Sequence, residues 1–411
     1  MTVVSKLDIA DKARNIIASE TNRLRSHLEK VCLDIHSHPE LCYEEKFAHD
    51  TICDFLETSG FTIKRHAYGI STSFEAEIGT GEHFIVYCAE YDALPDIGHA
   101  CGHNLIALSS ITAFATAAKA TVELGLAGRI RILGTPAEEG GGGKIRLLDA
   151  GAFEGAAAAL MSHPTSMGRI KEVEGLAGAA GLVTVAASKI TANFFGKAAH
   201  AGATPWQGQN ALDAAVGSYV NISMMRQQIK PAERISGIIT NGGKACNIIP
   251  EKASMEYSIR SSTAHECSAL IERVTTCFAS AATAASCQVE TETPFIYKDQ
   301  ILNSVLCETF TYEMALLGDS FLPMAKEAVS ASTDMGNVSH VVPSFHCSYG
   351  IHSGNASNHT AGFTAAAGTP DAIDRAIRVG RGLAMLGIRV LLDSDLRRSV
   401  SIAFKKARPT S

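Results

Sequence analysis

Short apolar runs alternating with helical patterns constrain this chain more than any other feature. Phe84–Cys88 is a continuous apolar run of strand length, as expected of a parallel strand covered on both faces. Ile130–Leu133 and Ala157–Met161 are two further short strands, and a helical pattern runs from about Asn104 to Leu124. Strands alternating with helices predict a mostly parallel sheet. Ahead of it, Ile17, Leu24, Leu28, Val31 and Ile35 recur on one face of a helix over residues 8–37, which Pro39 ends. A second helix is expected from about Glu44 to Leu56, closed by Gly60.

The pattern changes near residue 185. A strand at 187–196, a helix at 208–228, strands at 234–240 and 253–260, a helix at 264–285 and a strand at 287–294 give the order βαββαβ. That order is a two-layer sandwich with an antiparallel sheet. Helical patterns return from about 298 and end with a helix at 370–391. The fold class is therefore α/β: a mostly parallel-sheet domain built from 1–185 plus 297–411, with an inserted α+β sandwich domain at 186–296. A length of 411 residues suits two cores better than one.

Composition narrows the functional classes. With 36 Lys+Arg against 42 Asp+Glu, the net charge of −6 argues against a nucleic-acid partner. The first twenty residues lack the basic and apolar regions of a secretory signal. No stretch of about 18 uncharged apolar residues is read, so no membrane span is expected. Eleven scattered cysteines read as reduced thiols of a cytoplasmic protein.

Chemistry-bearing residues concentrate in four segments. Three follow the expected strands: 89–104, with Asp92, Cys101 and His103; 136–140, with Glu138 and Glu139; and 162–164, with His163. In open parallel sheets, ligands bind beyond the carboxyl ends of the strands. The fourth segment, Ser357–Thr360, lies in a late loop and contains His359. Thiolate, imidazole and carboxylate are the donors of zinc and its transition-series neighbours. One of two adjacent glutamates can ligate a metal while the other moves a proton. Each segment alone also has an ordinary explanation. A Cys-x-His pair can be incidental, a histidine before proline can be a loop residue, and paired glutamates such as Glu44-Glu45 usually open a helix in solvent.

In combination, the segments 34–41, 91–95, 99–103, 136–139 and 247–251 resemble the metal-dependent amidohydrolases related to aminoacylase, carboxypeptidase G and hippurate hydrolase. Within that family, 98–107 and 332–339 resemble the Xaa-Arg (β-alanyl-lysine) dipeptidase type. Asn104 departs from the hippurate hydrolase branch, which usually has Asp there. The resemblance implies two divalent metal ions, with zinc favoured by the thiolate and manganese, cobalt or nickel also able to serve. It implies Cys101, His103, Glu139, His163 and His359 as ligands, Glu138 as general base, and Asp92 orienting a ligand histidine. In the inserted domain it implies that His200 reaches a partner subunit's site, and that Asn247 and Arg260 bind substrate. Gly354 is a further candidate for substrate contact through backbone amides. The implied reaction is hydrolysis of an amide bond in a dipeptide or N-acyl amino acid, by water activated at the metal. Rival readings are an amidohydrolase acting on another N-acylated metabolite, and a catalytically silent metal-binding homologue. The implied partners are a small substrate with a free carboxylate and a second copy of the chain, joined through the inserted lid and dimerisation domain.

Overall fold

The computed structural model describes residues 6–166, 171–326 and 328–408. By internal packing the chain forms two units, one of Met1–Val183, Ile301–Val329 and Asn337–Ser411, the other of Thr184–Gln300 and Ser330–Gly336. The architecture is α/β, with a mixed, mainly parallel sheet in the first unit and a separate antiparallel sheet in the second.

In chain order the first unit opens with helices α1 (Lys6–Ser37) and α2 (Lys46–Thr58), then strands β1 (Ile63–Arg65) and β2 (Phe74–Ala89). Helix α3 (His103–Glu123), strand β3 (Ala127–Gly134), helix α4 (Gly143–Asp149), and strands β4 (Ala158–Ser166) and β5 (Gly178–Ala179) follow. The face expected of α1 is the buried one, because Ile17, Leu24, Leu28, Val31 and Ile35 all join the core. Strand β2 starts ten residues earlier than its apolar run, and its two halves pair with β3 in opposite order. Glu75 lies opposite Leu133 and Gly79 opposite Arg129, whereas Phe84–Ala89 run in step with Arg129–Gly134. The chain reverses between Thr80 and Phe84, just past Gly79, whose φ of +99° and close approach to the Gly128 carbonyl exclude a side chain.

The second unit contains β6 (Ala186–Phe195), α5 (Ala211–Met225), β7 (Arg234–Asn241), β8 (Lys252–Ser261), α6 (Ala264–Ala284), β9 (Gln288–Glu292) and β10 (Ile296–Tyr297). Its sheet runs β10-β6-β8-β7, with β9 also on β6, and all its pairings are antiparallel. Alternation along β8 buries Ala253, Met255, Tyr257 and Ile259 against Phe194, Leu270 and Phe278. Thr263 caps α6 by accepting from the Glu266 N–H, the geometry of a capping box. Ser330–Gly336 also joins this unit, beyond the expected 186–296. The Val185 N–H bonds to the Ala331 carbonyl, and Arg260 donates to the Ser330 carbonyl and Ser332 Oγ.

The chain then adds α7 (Ser304–Leu316), β11 (Phe321–Leu322), α8 (Met335–Ser339), β12 (Ser344–Ile351), α9 (Ala361–Ala367), α10 (Pro370–Leu392) and α11 (Ser394–Ala407). The first unit's sheet runs β1-β2-β4-β12-β5-β11, with β3 on β2. Strand β12 is central and buried at every residue, although helical patterns were expected from about 298 onward. Helices α1 and α10 pack against α3, the core helix. Among the described residues, α3 is long and apolar enough to cross a membrane by length and composition, but 89% of its apolar window is buried inside the protein, as in a core helix.

Candidate metal centre

The carboxyl ends of β2, β3 and β4 deliver the donors. Just past β2, Glu90 and Asp92 are fully buried. Gly102, at φ +82°, then turns the chain so that His103 becomes the first residue of α3, with Cys101 beside it. Past β3, the loop 135–143 carries Glu138 and Glu139. His163 lies inside β4, which runs on to Ser166, and not after the strand as expected. His359 reaches the group through its backbone, since its N–H donates to the Ala100 carbonyl at 2.8 Å.

His103 organises the cluster. Its Nδ1 lies 3.0 Å from Asp92 Oδ1, while Asp92 Oδ2 accepts the Glu139 N–H at 2.8 Å. That fixes the ring and turns Nε2 toward three carboxylates: Glu90 at 3.7 Å, Glu138 at 3.9 Å and Glu139 at 4.0 Å. The Nε2 atom is buried and makes no hydrogen bond among the described residues. His163 Nδ1 is 2.7 Å from the Pro164 carbonyl, so Nδ1 carries the proton and Nε2 faces Cys101 Sγ at 3.3 Å. His359 Nε2 sits 3.3 Å from Glu139 Oε1.

The buried groups shift one another's ionisation. Burial opposes ionisation of Asp92, but the His103 ring and the Glu139 amide outweigh it and hold its pKa below the usual range. Burial likewise opposes a charged His103, yet Asp92 and Cys101 raise its pKa well above normal. Burial pushes the Cys101 thiol up and the His163 imidazole down. Burial also opposes the Glu139 charge, and His359 overrides it.

The donor atoms fall into overlapping groups. Cys101, His103 and His163 form one, Cys101, Glu139 and His359 a second, and His103, Glu138 and Glu139 a third. Within each, all ligand atoms lie within 4.8 Å of one another, so the residues fit divalent cations and suit a pair of them. Of the late histidines, His359 joins a donor group. His352 instead lies 2.8 Å from Asp371, and His346 stands beside the His163 ring at 5.9 Å between centroids. Asn104 faces away from the donors, donating to the Ala367 carbonyl and Cys32. Gly354 is exposed in its loop at φ +59°, in open space.

The candidates of the inserted unit do not all meet. His200 and Asn247 are neighbours, because the Ala201 N–H donates to the Asn247 carbonyl and His200 bridges to Ile248. His200 Nδ1 accepts from Gly202 and Ala203, which leaves Nε2–H as an exposed donor. Arg260 lies near the other end of β8, roughly 26 Å from Lys252 at the usual strand rise.

Three residues escaped sequence reasoning. Glu90 forms a fully buried ion pair with Lys144, both side chains being 0% exposed. The third is Glu45, expected in solvent as part of a helix start. It is 0% exposed, and its Oε1 accepts the Ala137 N–H at 2.8 Å. No local pattern signals these burials, because each is made by contact between distant segments.

The model of the peptidase family M20/M25/M40 matches residues 87–385. The Xaa-Arg dipeptidase of Mus musculus is 40% identical over 390 residues, covering 90% of this chain and 87% of that protein. The Xaa-Arg dipeptidase of Homo sapiens is 38% identical over 394 residues, with the same coverage of each. A Bacillus subtilis protein described as a dinuclear metal binding peptidase from the M20 family superposes with a TM-score of 0.65. It shares 21% sequence identity and covers 90% of this chain and 99% of its own. The chain belongs to the peptidase family M20/M25/M40 and is a metallo-amidohydrolase.

Proposed function

We propose that this enzyme hydrolyses the amide bond of a dipeptide or N-acyl amino acid and releases the free amino acid. The carrying observation is the cluster around His103 Nε2, where imidazole, thiolate and carboxylate donors converge in a buried place. Cys101, His103, Glu139, His163 and His359 would hold two divalent ions. Cys101 is common to two donor groups, and its thiolate favours zinc. Bound there, the ions would polarise the scissile carbonyl and acidify the attacking water. Glu138, beside Glu139 and nearly buried, takes the water proton and passes it to the leaving nitrogen. Asp92 holds His103 in its ligating tautomer.

The separation of Arg260 from His200 and Asn247 supports a site shared between two chains. Arg260 of one chain binds the substrate carboxylate. His200 of the partner subunit donates its Nε2–H to the developing oxyanion, and Asn247 of the partner subunit lies next to it. The surface proposed for that pairing is β7, an edge of its sheet among the described residues, where Ile238 is 62% exposed, together with Tyr219, Val220 and Met224 of α5. The two mammalian relatives, named for dipeptides ending in arginine, favour a basic residue on the carboxyl side.

The test is a panel of Xaa-Arg, Xaa-Lys and neutral dipeptides with N-acyl amino acids, read by release of free amino acid alongside metal analysis. Two ions per chain and a preference for basic dipeptides are expected. Bound metal without release from any member of the panel would refute the proposal.

A further inference from the structure

The loop 136–143, which carries Glu138 and Glu139, is held in a conformation that its own residues disfavour. Ala137, the residue before Glu138, sits at φ +61°, in the left-handed region that alanine avoids. Its carbonyl accepts the Gly143 N–H at 3.3 Å, and a Cβ on Gly143 would lie 1.7 Å from the Pro136 carbonyl oxygen. A backbone in that region persists only where its surroundings determine it.

The surroundings come from residues 43–45. Glu45 stands at the N-cap of α2, where an acidic side chain ordinarily binds its own helix's amides, yet it makes no such bond. Glu40 takes that task, accepting from Phe47 at 2.9 Å and Ala48 at 3.0 Å. Glu45 is thereby released to reach 92 residues along the chain to the Ala137 N–H. Tyr43 donates its hydroxyl to the Gly141 carbonyl at 2.7 Å, at the far side of the same loop. Asp92 takes the Glu139 amide between them. A buried carboxylate is expensive, and a residue needed only to fill space would be apolar.

We infer that Glu45 is a positioning residue for catalysis: by locking the Ala137 N–H it holds the strained peptide and so aims Glu138. The inference rests on the role proposed for Glu138. Glu45 touches neither a proposed ligand nor substrate, and acts through Ala137.

The experiment compares wild type, Glu45→Ala, Glu45→Gln and Glu45→Asp. Hydrogen exchange at the Ala137 amide is read in metal-free protein, and kcat, KM and metal content in the loaded enzyme. Glutamine keeps the acceptor, so its amide should stay protected and kcat should stay within about threefold of wild type. Alanine removes the acceptor and aspartate falls a methylene short. Both should exchange about tenfold faster at Ala137 and lose kcat by roughly 10–100-fold, with KM and metal content little changed. Should Glu45→Ala fail to fold, Glu45→Asp carries the same expectation. Wild-type kcat in Glu45→Asp, equal losses in Glu45→Gln and Glu45→Asp, or a loss confined to KM would overturn the inference. If wild-type protein hydrolyses nothing, the proposed function fails, and amide exchange alone still decides whether the clamp exists.

Discussion

Replacing Lys144 with methionine would leave Glu90 as an unpaired carboxylate behind the metal centre. Both side chains are 0% exposed, so water cannot take over from the lost ammonium. Breaking a buried pair by removing one partner costs about 3–5 kcal/mol. At about 2 °C per kcal/mol for a large domain, that is roughly 6–10 °C of melting temperature. Glu90 Oε2 lies 3.7 Å from His103 Nε2, so the freed negative charge sits where a cation would bind. Adding Glu90→Gln should recover part of the loss, since the charge that Lys144 leaves unpaired on Glu90 is then removed as well. The assay is thermal and urea denaturation of the four proteins of the cycle, with and without chelator. A Lys144→Met protein within about 1 kcal/mol of wild type, or a double variant no better than the single, would refute this account of the pair.

Glu138→Gln should lower kcat by about 100-fold or more while metal content holds, and Glu139→Gln should lose metal; parallel loss of metal in both would mean that base and ligand have been confused. Burial, then the Asp92 charge, raises the Glu45 pKa to about 7 from an ordinary 4.5. The folded chain then keeps a proton that the unfolded chain releases, so metal-free stability should fall as pH rises from 4.5 through 7. The total is about 3 kcal/mol, and Glu45→Gln should flatten the profile measured by denaturation. His200→Ala mixed with Glu138→Gln should regain part of the activity that each lacks; no recovery in mixed dimers would argue against a shared site.

Much of the fold was legible because its signals are local. The face of α1, the apolar run of β2 and the alternation of β8 depend only on neighbours along the chain. Strand β12 was not legible: Ser344, His346 and Ser348 read as polar, yet all are buried in a strand between β4 and β5. The donors could be found because each stands beside a strand end or in a distinctive short segment. Glu45 and Lys144 could not, because what buries them lies tens of residues away. The distance between Asn247 and Arg260 was equally hidden, since it follows from the direction of β8 rather than from spacing.

His103 is at once a proposed ligand and the opening residue of α3, the helix on which α1 and α10 rest. An ion gripped there pulls on the end of the central pillar. Its departure should be felt at the far side of the unit, in the cohesion of segments that never approach it. Heat resistance of the whole domain becomes a gauge of ion loading, readable without any substrate.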